Sequence, residues 1–230
     1  MGARKALIMG LLLAAAVPAL VGAALAQPDS DGITAGLYAG LRGSYSFSGN
    51  HVTTWAPTTP MTQLRGSFAS GGGGSVVVGT HLPLNLRGEI EGIYRYQSFS
   101  KVSLDGVQTA ASGRSQNAGA MLNVLWDIPM PLDTPIQPYV GMGMGVLHND
   151  IHAAGSGNTY LHQSRWEPVY SMMAGLALPL DEVSRITAMY RWTQSINSPH
   201  SCAVSGTILG NCLNNPVNNS EVDLGYEMEL

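Results

Sequence analysis

Lysine is all but missing from this chain, which carries Lys5 and Lys101 and no other. Charge of either sign is sparse at 11% of residues, and the 230 residues hold only three phenylalanines and two cysteines. Acids outnumber bases by 15 to 11, so the overall balance leaves no electrostatic footprint for nucleic acid, and none for an anionic lipid surface. A long helical pattern is also lacking. Beyond residue 26 no stretch longer than ten residues keeps an apolar period near 3.6, whereas alternation with a period of two returns repeatedly. The chain is therefore expected to be all-β, with one domain as the natural count for its length.

The first 26 residues follow a different logic. Arg4 and Lys5 form a short basic start, and no charge occurs from Ala6 to Ala26. Leu7, Ile8, Leu11, Leu12, Leu13, Val17 and Leu20 make the apolar run, which ends on Ala24, Leu25 and Ala26 before Gln27. This layout predicts a cleaved secretory signal over residues 1 to 26, with the folded domain over 27 to 230. Removing it takes away two basic residues and brings the net charge to about −6.

What is abundant is alternation. In the last strand Val222, Leu224, Tyr226, Met228 and Leu230 interleave with Glu221, Asp223, Gly225, Glu227 and Glu229, so one face is apolar and the other acidic. Residues 86 to 97 set Ile90, Tyr94 and Tyr96 against Arg87, Glu89, Glu91, Arg95 and Gln97. Residues 184 to 194 set Ile186, Ala188, Tyr190 and Trp192 against Arg185, Thr187, Arg191 and Thr193.

An internal repeat organises these strands. Pro83-Leu84-Asn85, Pro131-Leu132-Asp133 and Pro179-Leu180-Asp181 recur at one fixed interval, and Tyr94-Arg95-Tyr96 returns two intervals later as Tyr190-Arg191-Trp192. Proline with Asn or Asp suits a tight connection, because it presets φ and supplies a side chain that bonds its own backbone. The scheme predicts eight strands, near 36 to 47, 72 to 82, 86 to 98, 116 to 127, 138 to 148, 166 to 178, 184 to 194 and 220 to 230. Connections at 83 to 85, 128 to 137 and 179 to 183 are short. Those at 48 to 71, 99 to 115, 149 to 165 and 195 to 219 are long and leave from the opposite end. Even strand number and one-sided loops are the layout of a transmembrane barrel, here an eight-stranded antiparallel up-and-down meander.

A soluble, ligand-holding barrel in the periplasm would show the same alternation with its faces reversed. The membrane reading is favoured by the scarce lysine, the loop asymmetry, and aromatics near strand ends: Trp126 at the short-turn end, and Tyr94, Tyr96, Tyr190 and Trp192 toward the long loops. The pattern resembles the eight-stranded OmpA-like and OmpX-like outer-membrane barrels and the opacity-type surface antigens of Gram-negative bacteria. Gly36-Leu37-Tyr38-Ala39-Gly40, Pro138-Tyr139-Val140-Gly141-Met142-Gly143-Met144-Gly145 and Val222-Asp223-Leu224-Gly225-Tyr226 carry the likeness. It implies outer-membrane localisation, a lipid surround, and a structural or surface-interaction role in adhesion, host contact or envelope integrity, exercised through the four long loops.

On this reading the lumen collects Arg42, Arg87, Arg95, Arg185 and Arg191 with Glu89, Glu91, Asp127, Glu221, Asp223 and Glu227. Charges in so narrow a space must pair to offset their desolvation. Arg95 and Arg191, equivalent in the repeat and on opposite strands, are expected to reach Glu89, Glu91 and Asp223 and plug the centre against conduction. Gly141, Gly143 and Gly145 share a face and leave room for long side chains from opposite strands. His162-Gln163-Ser164 with Glu167 loosely resembles the His-x-Ser of outer-membrane lipid A deacylases, but without the flanking Arg or the following Asn-Ala, and no catalytic residue is expected. His51, His148, His152, His162 and His200 fall in or beside the long loops with no diagnostic metal spacing, so neither metal nor cofactor is expected. Cys202 and Cys212 share the last long loop in an exported chain, and a disulfide between them is expected.

Overall fold

The computed structural model describes residues 36–47, 50–55, 63–68, 70–104, 107–109, 112–131, 134–155, 159–196, 203–204, 212–213 and 217–230. The expected signal, Cys202 and the Cys212 side chain lie outside what is described, and so does the disulfide.

Eight strands make a wall: β1 (Leu37–Phe47), β2 (Gly71–Leu82), β3 (Leu86–Leu104), β4 (Ser112–Asp127), β5 (Gln137–Gly155), β6 (Thr159–Pro179), β7 (Ser184–Ser195) and β8 (Asn218–Glu229). Each pairs antiparallel with its neighbours in the chain. β1 pairs with β8, from Tyr38 opposite Glu229 to Phe47 opposite Ser220, and the ring is closed. Following paired residues around the wall from Gly40 leads through Val77, Glu91, Met121, Gly145 and Val169 to Ser195. Gly40 lies near the short-turn end of β1 whereas Ser195 ends β7, so the strands are staggered and tilted, as closure requires.

The short connections use different chemistry beneath their shared tripeptide. At the β2–β3 turn the chain takes left-handed φ values of 66° at Leu84 and 60° at Asn85. At the β6–β7 turn the Asp181 carboxylate instead accepts the backbone N–H groups of Val183 (3.0 Å) and Ser184 (2.7 Å). The Ser184 hydroxyl foremost, and then these backbone bonds, hold the exposed Asp181 carboxyl below the ordinary aspartate range.

Two expected long loops are corrected. β3 continues to Leu104 and β4 begins at Ser112, while β5 continues to Gly155 and β6 begins at Thr159. The stretches 99 to 115 and 149 to 165 are therefore mostly strand. Where both faces of a hairpin are wet, the alternation that marks a strand is no longer demanded, while the backbone still gains its ladder of bonds. The first long connection also holds strands, Asn50–Trp55 and Gln63–Phe68, and the second of these pairs with the β3 extension. In the last connection Ala203–Val204 pairs with Leu161 and His162, and Cys212–Leu213 with Thr54 and Trp55.

Candidate functional site: the barrel interior and its lipid-facing belt

Inside and outside are assigned without ambiguity, because burial alternates along every wall strand. Arg42, Arg87, Glu89, Glu91, Arg95, Asp127, Arg191, Glu221, Asp223 and Glu227 are all buried, and Arg185 nearly so. Residues of the opposite parity, among them Leu41, Ile90, Leu122, Met142, Met172 and Leu224, stand exposed around the barrel. A soluble barrel would carry these faces the other way round, since a band of bare apolar surface on all sides is stable only in lipid.

The interior charges meet across the lumen in two tiers. In the lower tier Arg42 donates to Glu89 (2.6 Å) and Glu227 (2.7 Å), while Arg87 donates to Asp127 (2.8 Å) and lies 3.3 Å from Glu227. Arg185 closes the tier against Glu227 at 2.7 Å. In the upper tier Arg191 of β7 reaches Glu91 of β3 (2.8 Å) and also Asp223 (3.3 Å) and Glu221 (3.6 Å) of β8. Arg95 meets Glu221 of β8 instead of Glu89, Glu91 or Asp223. The tilt explains the difference. It lifts the partner of Arg95 on the far wall by several residues from the level that strand counting assigns.

Four kinds of interior residue were not anticipated. Tyr38 donates to Glu89 at 2.7 Å, and its ring receives the Arg185 guanidinium at 4.8 Å, while Tyr139 receives Arg87 at 4.9 Å. These rings floor the lumen at the short-turn end. Asn123 donates to Glu91 at 2.7 Å. Near the other end Glu167 accepts from Arg165, Ser195 and Asn149, which ties β5, β6 and β7 together. Finally, apolar side chains intersperse the polar ones on the β4–β6 side of the lumen: Met121, Leu125, Leu147, Val169, Met173 and Ala177 are buried there. Their parity marked them as inward, but their side chains read like those facing lipid.

The glycines of β5 point inward, as their spacing suggests, yet they make room for adjacent strands. A Cβ on Gly141 would collide with Leu125, one on Gly145 with Met121, and one on Gly143 with Asn123 and Ser171, all on β4 or β6. The His-x-Ser fragment is divided by the wall. Ser164 faces outward, where its hydroxyl lies 2.9 Å from His148 Nε2, whereas Glu167 faces the lumen. The side chains of His51, His162 and His200 lie outside what is described.

Outside, a belt of aromatics rings the end that bears the long connections, each polar tip held by a neighbour. Tyr94 accepts from Gln116 (3.2 Å), Tyr170 donates to Gln194 (3.1 Å), Tyr190 to Ser220 (3.0 Å) and the Trp192 indole to Asn218 (3.1 Å). Such rings satisfy a boundary where one side is hydrocarbon and the other water. Apolar exterior, aromatic belt and filled, charge-paired interior together define a transmembrane β-barrel, and this chain is one of the outer-membrane type.

Known proteins agree at the level of the fold. No family model matches the chain. A protein named "Outer membrane protein" from Gluconacetobacter diazotrophicus is 32% identical over 130 residues, which are 52% of this chain but 34% of the relative. This chain thus spans about a third of that relative's length. Among solved structures, the outer membrane protein OprG of Pseudomonas aeruginosa aligns with a TM-score of 0.55 over 88% of this chain and all of its own, at 12% identity. Neisserial surface protein A aligns at 0.50, covering 84% of this chain and 97% of its own, also at 12% identity.

Proposed function

We propose that the chain is a closed, non-conducting barrel that serves as a structural or surface-interaction protein of the outer membrane, acting in adhesion, host contact or envelope integrity. The observation that carries the reading is the contents of the lumen. Eight strands enclose a space that side chains can fill, and here two tiers of cross-barrel ion pairs, with apolar side chains packed beside them along β4–β6, occupy it. Function then falls to the surface. β3, β4, β5 and β6 run to 19, 16, 19 and 21 residues, well beyond the roughly 9 to 11 that a tilted strand needs to cross a bilayer. Their extensions make a one-sided sheet above the belt, a platform for contact. No catalysis is proposed, since the carboxylate that would orient a Ser164 dyad lies across the wall.

Conductance tests the reading. Purified protein in planar bilayers should give no steady current, whereas stable channels of porin size would replace it with solute passage.

A further inference from the structure

The lipid-facing wall is neutral almost everywhere. Among the described outward residues of the eight strands, the side chains of Arg, Lys, His, Asp or Glu are Arg114, His148, Asp150 and His152, and all four lie on β4 and β5. Register stacks them in successive rows. Tyr94, Ala118, His148 and Trp166 are paired partners in one row, Tyr96, Gln116, Asp150 and Ser164 in the next, and Ser98, Arg114 and His152 in the one above. The lowest row sits at the belt itself, with the His148 and Trp166 rings 5.1 Å apart. Asp150 lies 3.1 Å from His152 in the middle of the patch, so Arg114 is its one permanent cation, and the His148 and His152 rings add hydrogen-bonding nitrogens beside it. On β7 and β8 the corresponding positions hold Gln194, Asn218 and Ser220, which are neutral.

Directly below the patch the same strands present Leu122, Met142, Met144, Val146 and Met172, all exposed. Three unbranched, adaptable methionines make a wall that fits the contour of flexible chains. A shelf bearing a guanidinium, two imidazoles and a hydroxyl above an apolar wall of this kind has the chemistry of a phosphorylated lipid's two ends. We propose that the outward face of β4–β6 is a specific site for a phosphate-bearing, acylated lipid of the outer leaflet. Its phosphate sits against Arg114, His148 and His152 with the Ser164 hydroxyl beside them, and its acyl chains lie along the methionine wall. Guanidinium and imidazole donors bind phosphate oxygens by charge-assisted hydrogen bonds. The chain's net charge does not report on this face, because seven of its 15 acids are buried in the lumen beside arginines.

Native mass spectrometry of the detergent-solubilised barrel, counting lipid retained after exchange, tests this. Diphosphorylated lipid A should be held, and a dephosphorylated form with the same acyl chains should bind at least about tenfold more weakly. The triple variant R114Q/H148Q/H152Q should show the same loss, while Q194A/N218A/S220A, at the same height on the far wall, should bind as the parent does. Inorganic phosphate alone should not be retained. The comparison of the two lipids on the parent protein needs no variant, so misfolding cannot obscure the outcome. Equal binding of both lipids, full retention by R114Q/H148Q/H152Q, or retention of free phosphate without lipid preference would overturn the site. None of these results bears on conductance, so the site and the closed lumen fail independently.

Discussion

Arg191 is the residue on which the upper tier turns. It is buried and lies within ion-pairing reach of Glu91, Glu221 and Asp223, joining β7 to β3 on the far wall and to β8 beside it. Replacing it by Ala leaves three acids in a narrow interior with Arg95 on Glu221 and Arg42 on Glu91 as the remaining cations. Breaking a buried pair in this way costs about 3–5 kcal/mol. The Arg191→Ala barrel should therefore unfold about 10 °C lower than the parent in the same detergent at a fixed scan rate, since a chain of this size moves by about 2–4 °C per kcal/mol. Arg191→Lys, which keeps the charge but loses the fork, should recover part of the loss. An unchanged midpoint for Arg191→Ala would mean that water already screens these groups.

At the scale of the element, two turns that share a tripeptide should respond to different perturbations. Leu84 is exposed and holds φ at 66°, a region that disfavours a branched side chain. Substituting Asn-Gly at positions 84 and 85 suits that geometry, and should raise stability by about 1 kcal/mol, measurable as a shift in thermal midpoint. The β6–β7 turn instead depends on a carboxylate. Because hydrogen bonds lower the Asp181 pKa in the folded state, its contribution is present above the unfolded aspartate value and is lost as pH falls through the lower folded one. Amide exchange at Val183 and Ser184, corrected for intrinsic rates, should speed up relative to other turns as pH drops through that window. Asp181→Ala should abolish the dependence.

The whole molecule behaves as a closed object. Among the described residues every wall strand has two partners, so the ring of the wall has no open edge, and the exposed apolar surface is matched to lipid or detergent. Opening it requires breaking a full ladder at once. The folded barrel should therefore resist dodecyl sulfate at room temperature and migrate differently on a gel before and after boiling, and it should fractionate with the outer membrane. Recovery as a soluble periplasmic protein with no heat shift would contradict the membrane assignment.

The order of eight strands, their direction, and which parity is charged were legible in the sequence. Alternation with a period of two is imposed directly by the pleat, and the recurring Pro-Leu-Asn or Asp tripeptide marks where the chain reverses. The inward set from Arg42 to Glu227 follows from that parity alone. What alternation could not carry is how rows align across a tilted, staggered ring. That stagger sends Arg95 to Glu221, lines the β4–β6 side of the lumen with Leu125, Leu147 and Val169, and stacks His148, Asp150 and His152 beside Ser164 and Trp166. It also decided that 99 to 104 and 149 to 155 continue as strand, because outside the membrane pairing with a neighbour stabilises a strand without any apolar face to announce it. Periodicity is a property of one strand and is written along it; the tiers of ion pairs and the lipid-facing patch are properties of the ring, and only closure brings their members together.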